Sequence, residues 1–306
     1  MNGASHRSGR PVHTLLGSLR DSAITHKEVA LARPGQAQGN VLASTSLATR
    51  YARYSSRINS DHRSCVRSAS SRMRFEALPP ATSGSGMNGH WLPLGMDILV
   101  LAKAPVAGHV KTRMCPPLTP HEAAALAEAA LYDTLANATN SHASRVVLVL
   151  EGSAGPWCPP GTHVVAQVAG DLNARLEAAW THTKGPAIQI GMDTPHASAA
   201  LLNDAMAALS NLPEDRALLG PCLDGGWWLL GLHRPLPGVF AGVTMSTGHT
   251  ATQQRRRLAE LGHPAADFTA LGDLDVFGDI APVGADAAAV ALGAWWRDYQ
   301  RAANRN

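Results

Sequence analysis

The sequence predicts an α/β domain over residues 96–306, a three-layer sandwich with helices on both faces of a mostly parallel sheet. Three observations predict it. Strand-like and helix-like segments alternate for most of that stretch, the pattern of a sheet joined by right-handed crossovers. The strand segments are short and continuously apolar, as strands buried on both faces must be. A chain of this size buries roughly 70% of its unfolded surface, so it needs neither metal nor disulfide to fold.

The elements follow in order. DILVLA (97–102) reads as the first buried strand. A Pro/Gly loop leads to LTPHEAAALAEAALYDTLANA (118–138), where Thr119 and Glu122 form a capping box and Pro120 takes the first helical position. RVVLVL (145–150) and HVVAQV (163–168) are strands, and Asp171 caps a helix that runs through Trp180. AIQIG (187–191) is a strand, followed by a helix near Ala197–Leu209. RALLG (216–220) and WWLLGL (227–232) are strands flanking a glycine turn. A polar helix near Thr250–Leu261, a short strand near Phe268–Leu271 and a helix from about Ala285 to Arg301 complete the domain.

The first 95 residues are a different polymer. They hold twelve Lys+Arg against four Asp+Glu, whereas the remainder holds fourteen against nineteen, so the overall charge of +3 conceals a split. Stretches such as RSCVRSASSRMR (63–74) cannot bury enough apolar surface to offset the entropy of ordering them. Residues 1–95 are therefore expected to be a disordered basic extension, with PPATSGSGMNG (79–89) as a linker; a mis-assigned start ahead of Met87 or Met96 would also produce it. Its scattered arginines make a weak case for nucleic acid as a partner. The four cysteines, Cys65, Cys115, Cys158 and Cys222, form no CxxC pair, and no apolar run reaches the length of a membrane span. A reducing, cytoplasmic setting follows as the expectation.

In an open parallel sheet ligands bind where the loops leave the carboxyl ends of the strands, and three such places carry chemistry. LAKAPVAGHVKTRM (101–114) brings Lys103, Lys111 and Arg113 within eleven residues of the first strand, with Pro105 and Gly108 shaping the loop. Three cations and free amides suit a di- or triphosphate, although the spacing is neither a Walker A loop nor GxGxxG. In IGMDTP (190–195), Asp193 follows a buried strand; it serves either as a hard-oxygen ligand for a divalent metal or, with Thr194, as a helix cap. In LLGPCLDGGWWLLGL (218–232), Asp224 precedes Gly225 and Gly226, which permit a hairpin turn or a close backbone approach to a ligand. Trp227 and Trp228 offer one ring to the core and one to the loops. Two further segments, MSTGHT (245–250) with His249 and LGDLDVFGD (271–279) with Asp273, Asp275 and Asp279, compete between helix capping and chemistry.

Taken together, KAPVAGHVKTR, LTPHEAAALAEA, GDLNARL (170–176), GMDTP, LGPCLDGGWWLLGL, MSTGHT and DLDVFGD resemble a family of bacterial nucleotide-diphospho-sugar transferases, the radical-SAM/selenodomain-associated glycosyltransferases. The resemblance spans about residues 96–285. GxDxP is shared with molybdenum-cofactor guanylyltransferases, and the lysine loop is similar to that of 2-phospholactate guanylyltransferases. The resemblance implies a GT-A-like, Rossmann-like domain that binds a nucleotide-activated donor with Mg2+ or Mn2+. By it Asp193 and Asp224 become metal ligands and catalytic residues, while Lys103, Gly108, Lys111, Arg113, Gly225 and Gly226 line the nucleotide. Asn173 stands where the family commonly has glycine, His196 follows GMDTP where another residue is usual, and Val276 replaces a threonine. The activity implied is metal-dependent transfer from a nucleotide sugar to an acceptor the sequence does not name. Asp224, Asp275 and His249 are the candidate bases. Nucleotidyl transfer with release of pyrophosphate is the alternative, and a nucleotide-binding module without turnover is a third.

Overall fold

The computed structural model describes residues 95–305; the expectations for the basic extension and its linker lie outside them. Seven strands form one sheet in the order β3-β2-β1-β4-β6-β5-β7. They are β1 (Asp97–Lys103), β2 (Arg145–Glu151), β3 (Thr162–Ala166), β4 (Ala187–Gly191), β5 (Ala217–Pro221), β6 (Trp227–Leu232) and β7 (Ala265–Asp267). β1 pairs in parallel with β2 on one side and β4 on the other, and β2 continues in parallel to β3. β6 runs antiparallel between β4 and β5, and β5 pairs in parallel with β7. The sheet is mostly parallel, and its strand order reverses at β1 and β4. That switch point opens a crevice at the carboxyl ends of those two strands.

Period-two alternation sends the side chains of each strand into two cores. Ile98, Val100 and Ala102 pack with Leu131 of α1 (Pro120–Thr139) and Leu202 of α3 (Ala199–Ser210). Leu99, Val147 and Leu230 pack on the opposite face with Leu176 of α2 (Leu172–Ala179) and Leu258 of α4 (Thr250–Glu260). These are the three layers expected. A further cluster joins the outer side of α1 to α5 (Ile280–Gly284) and α6 (Val290–Ala303) through Leu126, Ile280 and Leu292.

The predicted caps form. Thr119 and Glu122 close their reciprocal box, and Asp171 Oδ1 accepts from the Ala174 amide at 2.8 Å. Three boundaries differ from expectation. The last strand lies at Ala265–Asp267, because these residues align with Ala217–Leu219 of β5; of residues 268–271 only Leu271 bridges, to Cys222. β3 ends at Ala166, since Gln167 turns its side chain back over β1 and β2. The C-terminal helix starts at Val290 rather than Ala285: Asp286 holds the preceding turn through the Ala288 amide, and the first-turn amides of α6 are satisfied from α1 by Asp133.

Candidate functional site

A cleft of about 780 Å³ lies over the carboxyl ends of β1 and β4. Lys103 reaches it from the last residue of β1 and Asp193 from the turn after β4. Asp224 and Gly226 come from the β5–β6 hairpin, Ser246 to Gly248 from the approach to α4, and Asp273 and Asp275 from the segment before α5. β6 runs antiparallel, so its first residue, Trp227, lies at the same end of the sheet as the last residues of β4 and β5. Segments more than a hundred positions apart thereby face one space.

Asp193 is not a helix cap. α3 is capped by Ser198, whose hydroxyl accepts from the Leu201 amide at 3.1 Å. The Asp193 carboxylate instead receives the ammonium of Lys111, which also donates to the Leu274 carbonyl. Lys111 is itself in the left-handed region, at φ 49°, and its side chain is only 7% exposed. This placement departs from the sequence reading, which set Lys111 against a phosphate. Its ammonium is occupied beneath the cleft by a carboxylate and a carbonyl, because burial demands partners for a cation. The Leu274 amide returns a bond to the Asp193 carbonyl at 2.8 Å, which fixes the two cleft segments together.

Arg113 lines the cleft and pairs with Asp275 at 2.5 Å. Lys103 lies 3.5 Å from Glu151, which also binds Arg175 at 2.7 Å. Gly108, at φ 80°, makes the turn of the lysine loop and is not among the cleft-lining residues. The two glycines after Asp224 do different things. Gly226 donates to Asp224 Oδ1 at 2.8 Å and lines the cleft. Gly225 has φ 92°, and a β-carbon there would stand 2.1 Å from the Gly248 carbonyl oxygen. The close approach foreseen at this position is thus met by the protein's own backbone. Of the tryptophans, Trp228 is buried and donates to the Thr269 carbonyl at 2.9 Å. Trp227 lines the cleft and stacks on Phe240 at 6.1 Å.

Among the candidate bases, Asp224 and Asp275 line the cleft and His249 does not. Asp279 is a cap, accepting from the Asp275 and Val276 amides at 2.9 and 2.7 Å. That carboxylate anchors the turn at Val276. Asn173 donates to the Phe240 and Val243 carbonyls, tying α2 to the loop beyond β6.

Sequence reasoning did not single out Gln167 and Arg175, which line the cleft, and it treated Asp273 only as one of a group. The sequence reading had Gln167 inside the strand 163–168, and only the structure sets it just beyond that strand's end; for Arg175 the signal was a cation on the first helix beyond that strand. Burial pushes the Asp273 carboxyl up to about 6, helped by the charges of Asp224, Asp275 and Asp193. Burial also pushes the Cys222 thiol up to about 12, with the same acidic surroundings acting in the same direction; this thiol is therefore a poor nucleophile. Crowded carboxylates of this kind are a hard-oxygen donor set whose mutual repulsion a divalent cation relieves. Among the described residues no three Asp, Glu, His or Cys side chains form a ready-made ligand cluster. The set fits a Mg2+-type site that takes one or two carboxylates and completes its shell with phosphate oxygens and water.

The fold recurs in a solved protein from Desulfovibrio desulfuricans G20, provisionally named a nucleotide-diphospho-sugar transferase. It superposes with a TM-score of 0.57 at 21% identity, over 67% of this chain and 99% of the other. A cytidylyltransferase from Leptospira borgpetersenii (TM-score 0.44, 12% identity, 69% and 96% covered) and Rv0371c from Mycobacterium tuberculosis H37Rv (0.41, 18%, 62% and 98%) are more distant in shape. By sequence, residues 124–247 match a family described as an uncharacterized protein conserved in bacteria (DUF2064). No curated protein matches the chain.

Proposed function

We propose that this chain is a divalent-metal-assisted transferase that uses a nucleotide-activated donor, with glycosyl transfer from a nucleotide sugar as its reaction. The observation that carries the reading is the meeting of Asp193, Asp224, Asp273 and Asp275 with Lys103, Arg113 and Arg175 in one cleft at the sheet's switch point. The shared fold with a provisionally named nucleotide-diphospho-sugar transferase supports it, as does the family resemblance of GMDTP and LGPCLDGGWWLLGL. Asp193 and Asp224 would hold Mg2+ or Mn2+, which supplies charge neutralisation for the phosphates of the leaving nucleotide. Arg113 would offset charge building on that leaving group, and a preorganised donor of this kind contributes about two to three decades. Lys111 acts through Asp193, holding its carboxylate toward the cleft. Asp224 and Asp275 line the cleft and are the candidates to take the acceptor's proton, Asp275 being the one not counted as a metal ligand.

Nucleotidyl transfer is the second reading, and it rests on the cations that follow β1. The burial of Lys111 on Asp193 removes one of the three charges that reading counted on for pyrophosphate. The products decide. The protein is incubated with Mg2+ or Mn2+, a panel of nucleotide sugars and nucleoside triphosphates, and cell extract as the source of acceptor, with phosphorus NMR as the readout. Release of nucleoside diphosphate, lost at least 100-fold in Asp224→Asn, is the expected result. Pyrophosphate release would replace glycosyl by nucleotidyl transfer. Metal-dependent binding without either product, unchanged in Asp224→Asn, would establish a binding module instead.

A further inference from the structure

One wall of the cleft carries a side-chain amide beside its cations. Gln167 sits just beyond β3, and its side-chain NH2 donates to the carbonyls of Ala102, at 2.7 Å, and Val149, at 3.0 Å. Two carbonyls from two neighbouring strands fix which end of the amide is nitrogen, because the reversed amide would set oxygen against both. Gln167 therefore presents only its Oε1, an acceptor, to the rest of the wall. Among the described residues the hydrogen bond to that oxygen is a long one, 3.4 Å from Arg175 Nη1.

Arg175 is held in place from behind. Its Nη1 binds Glu151 and its Nε lies 3.3 Å from the Asp171 carbonyl, while the side chain stays 21% exposed on the cleft. Its Nη2 makes no hydrogen bond among the described residues. Lys103 shares the same Glu151 oxygen and also lines the cleft. Glu151 is occupied by these two cations and is not itself a lining residue. The polar side chains of this wall thus offer one fixed acceptor and two cationic donors. Leu101, Leu172 and Leu176 line the cleft beside them, an apolar setting for the faces of a flat ring.

We infer that this wall is the nucleobase subsite and that it selects a pyrimidine nucleotide over a purine one. The inference rests on the nucleotide-donor reading above and deepens it. A pyrimidine's pairing edge carries one donor and two acceptors, either N3–H with O4 and O2 or the N4 amino group with N3 and O2. One glutamine oxygen and two cationic donors complement that count. Guanine carries two donors beside O6 and would turn one of them toward Arg175 or Lys103. Adenine offers a single acceptor on that edge and leaves one cation unanswered. Polar groups that the wrong base leaves unpaired discriminate in proportion to their enclosure, more at Arg175, 21% exposed, than at Lys103, 47% exposed.

The test is calorimetric titration of the full chain with UDP, CDP, GDP and ADP in Mg2+. UDP or CDP binding at least tenfold tighter than both GDP and ADP is the expected result, and the better of the two identifies the base. Gln167→Ala should narrow that ratio below threefold while leaving binding of Mg2+-pyrophosphate unchanged. Arg175→Lys, which keeps the Glu151 pair but loses the planar fork, should weaken the preferred nucleotide at least fivefold. GDP or ADP binding as tightly as the better pyrimidine nucleotide overturns the inference and leaves the nucleotide-donor reading standing. Binding of none of the four overturns both.

Discussion

Lys111 and Asp193 stand 82 positions apart and meet as a pair with very unequal exposure, the lysine enclosed and the carboxylate half open to the cleft. A variant that empties the carboxylate also strands the cation, so Asp193→Ala should lose both function and stability. Asp193→Asn separates the two effects. It keeps an oxygen for Lys111 but removes the countercharge of an enclosed cation, so denaturant unfolding should show a loss that is real but smaller than that of Asp193→Ala. Mg2+-dependent nucleotide binding should fall more than tenfold; undiminished binding would remove Asp193 from the metal site. Gly225 makes a sharper stability prediction. Its φ and the Gly248 carbonyl both forbid a β-carbon, so Gly225→Ala should cost about 2–4 kcal/mol by denaturant titration. Pairing and exposure of this kind are invisible in the sequence. Asp193 was legible as a strand-end carboxylate, but nothing in KTR said that its first residue would be enclosed.

Elements were far more legible, because caps and periodicity act over a few residues. Thr119, Pro120, Asp171 and the apolar runs of β1, β2 and β4 stand where local chemistry put them. The late start of α6 was not legible, since its first-turn amides are satisfied from another helix. Asp133, only 3% exposed on α1, accepts from the Ala291 and Leu292 amides at 2.9 Å each. Burial pushes its carboxyl up to about 7 against those two bonds, which favour the charged form. The native state therefore holds a proton that the unfolded chain releases near pH 4. This group's contribution to stability is full below that pH and declines as pH rises to about 7, by at most about 1.4 kcal/mol per unit. Urea unfolding of wild type and Asp133→Asn from pH 4 to 8 isolates it: their difference in stability should change across that window and level off above it. A constant difference would mean that Asp133 is ionised throughout. The Asp133→Asn change also sets an NH2 against one of the two amides, a cost of about 1–3 kcal/mol for the unpaired donor.

At the scale of the molecule, the sheet gathers the lysine loop, GMDTP, the Asp-Gly-Gly hairpin, the α4 approach and the 272–275 segment at one end. Bound nucleotide with Mg2+ should therefore slow amide exchange in residues 103–113, 192–194, 222–226, 245–250 and 272–275 together. Protection centred instead on the smaller cavity of about 310 Å³ at the opposite end, lined by Asp97, Arg145 and Thr181–Gly185, would place the ligand there. Among the described residues no helix is long and apolar enough to cross a membrane. Composition, periodicity and capping determined the layers, most element boundaries and the strand-end residues to inspect, because each is set by neighbours close in the chain. The strand order, the enclosure of Lys111, the fixed amide of Gln167 and the shared field around Asp273 were decided only in three dimensions, where contacts between distant segments set partner, burial and charge.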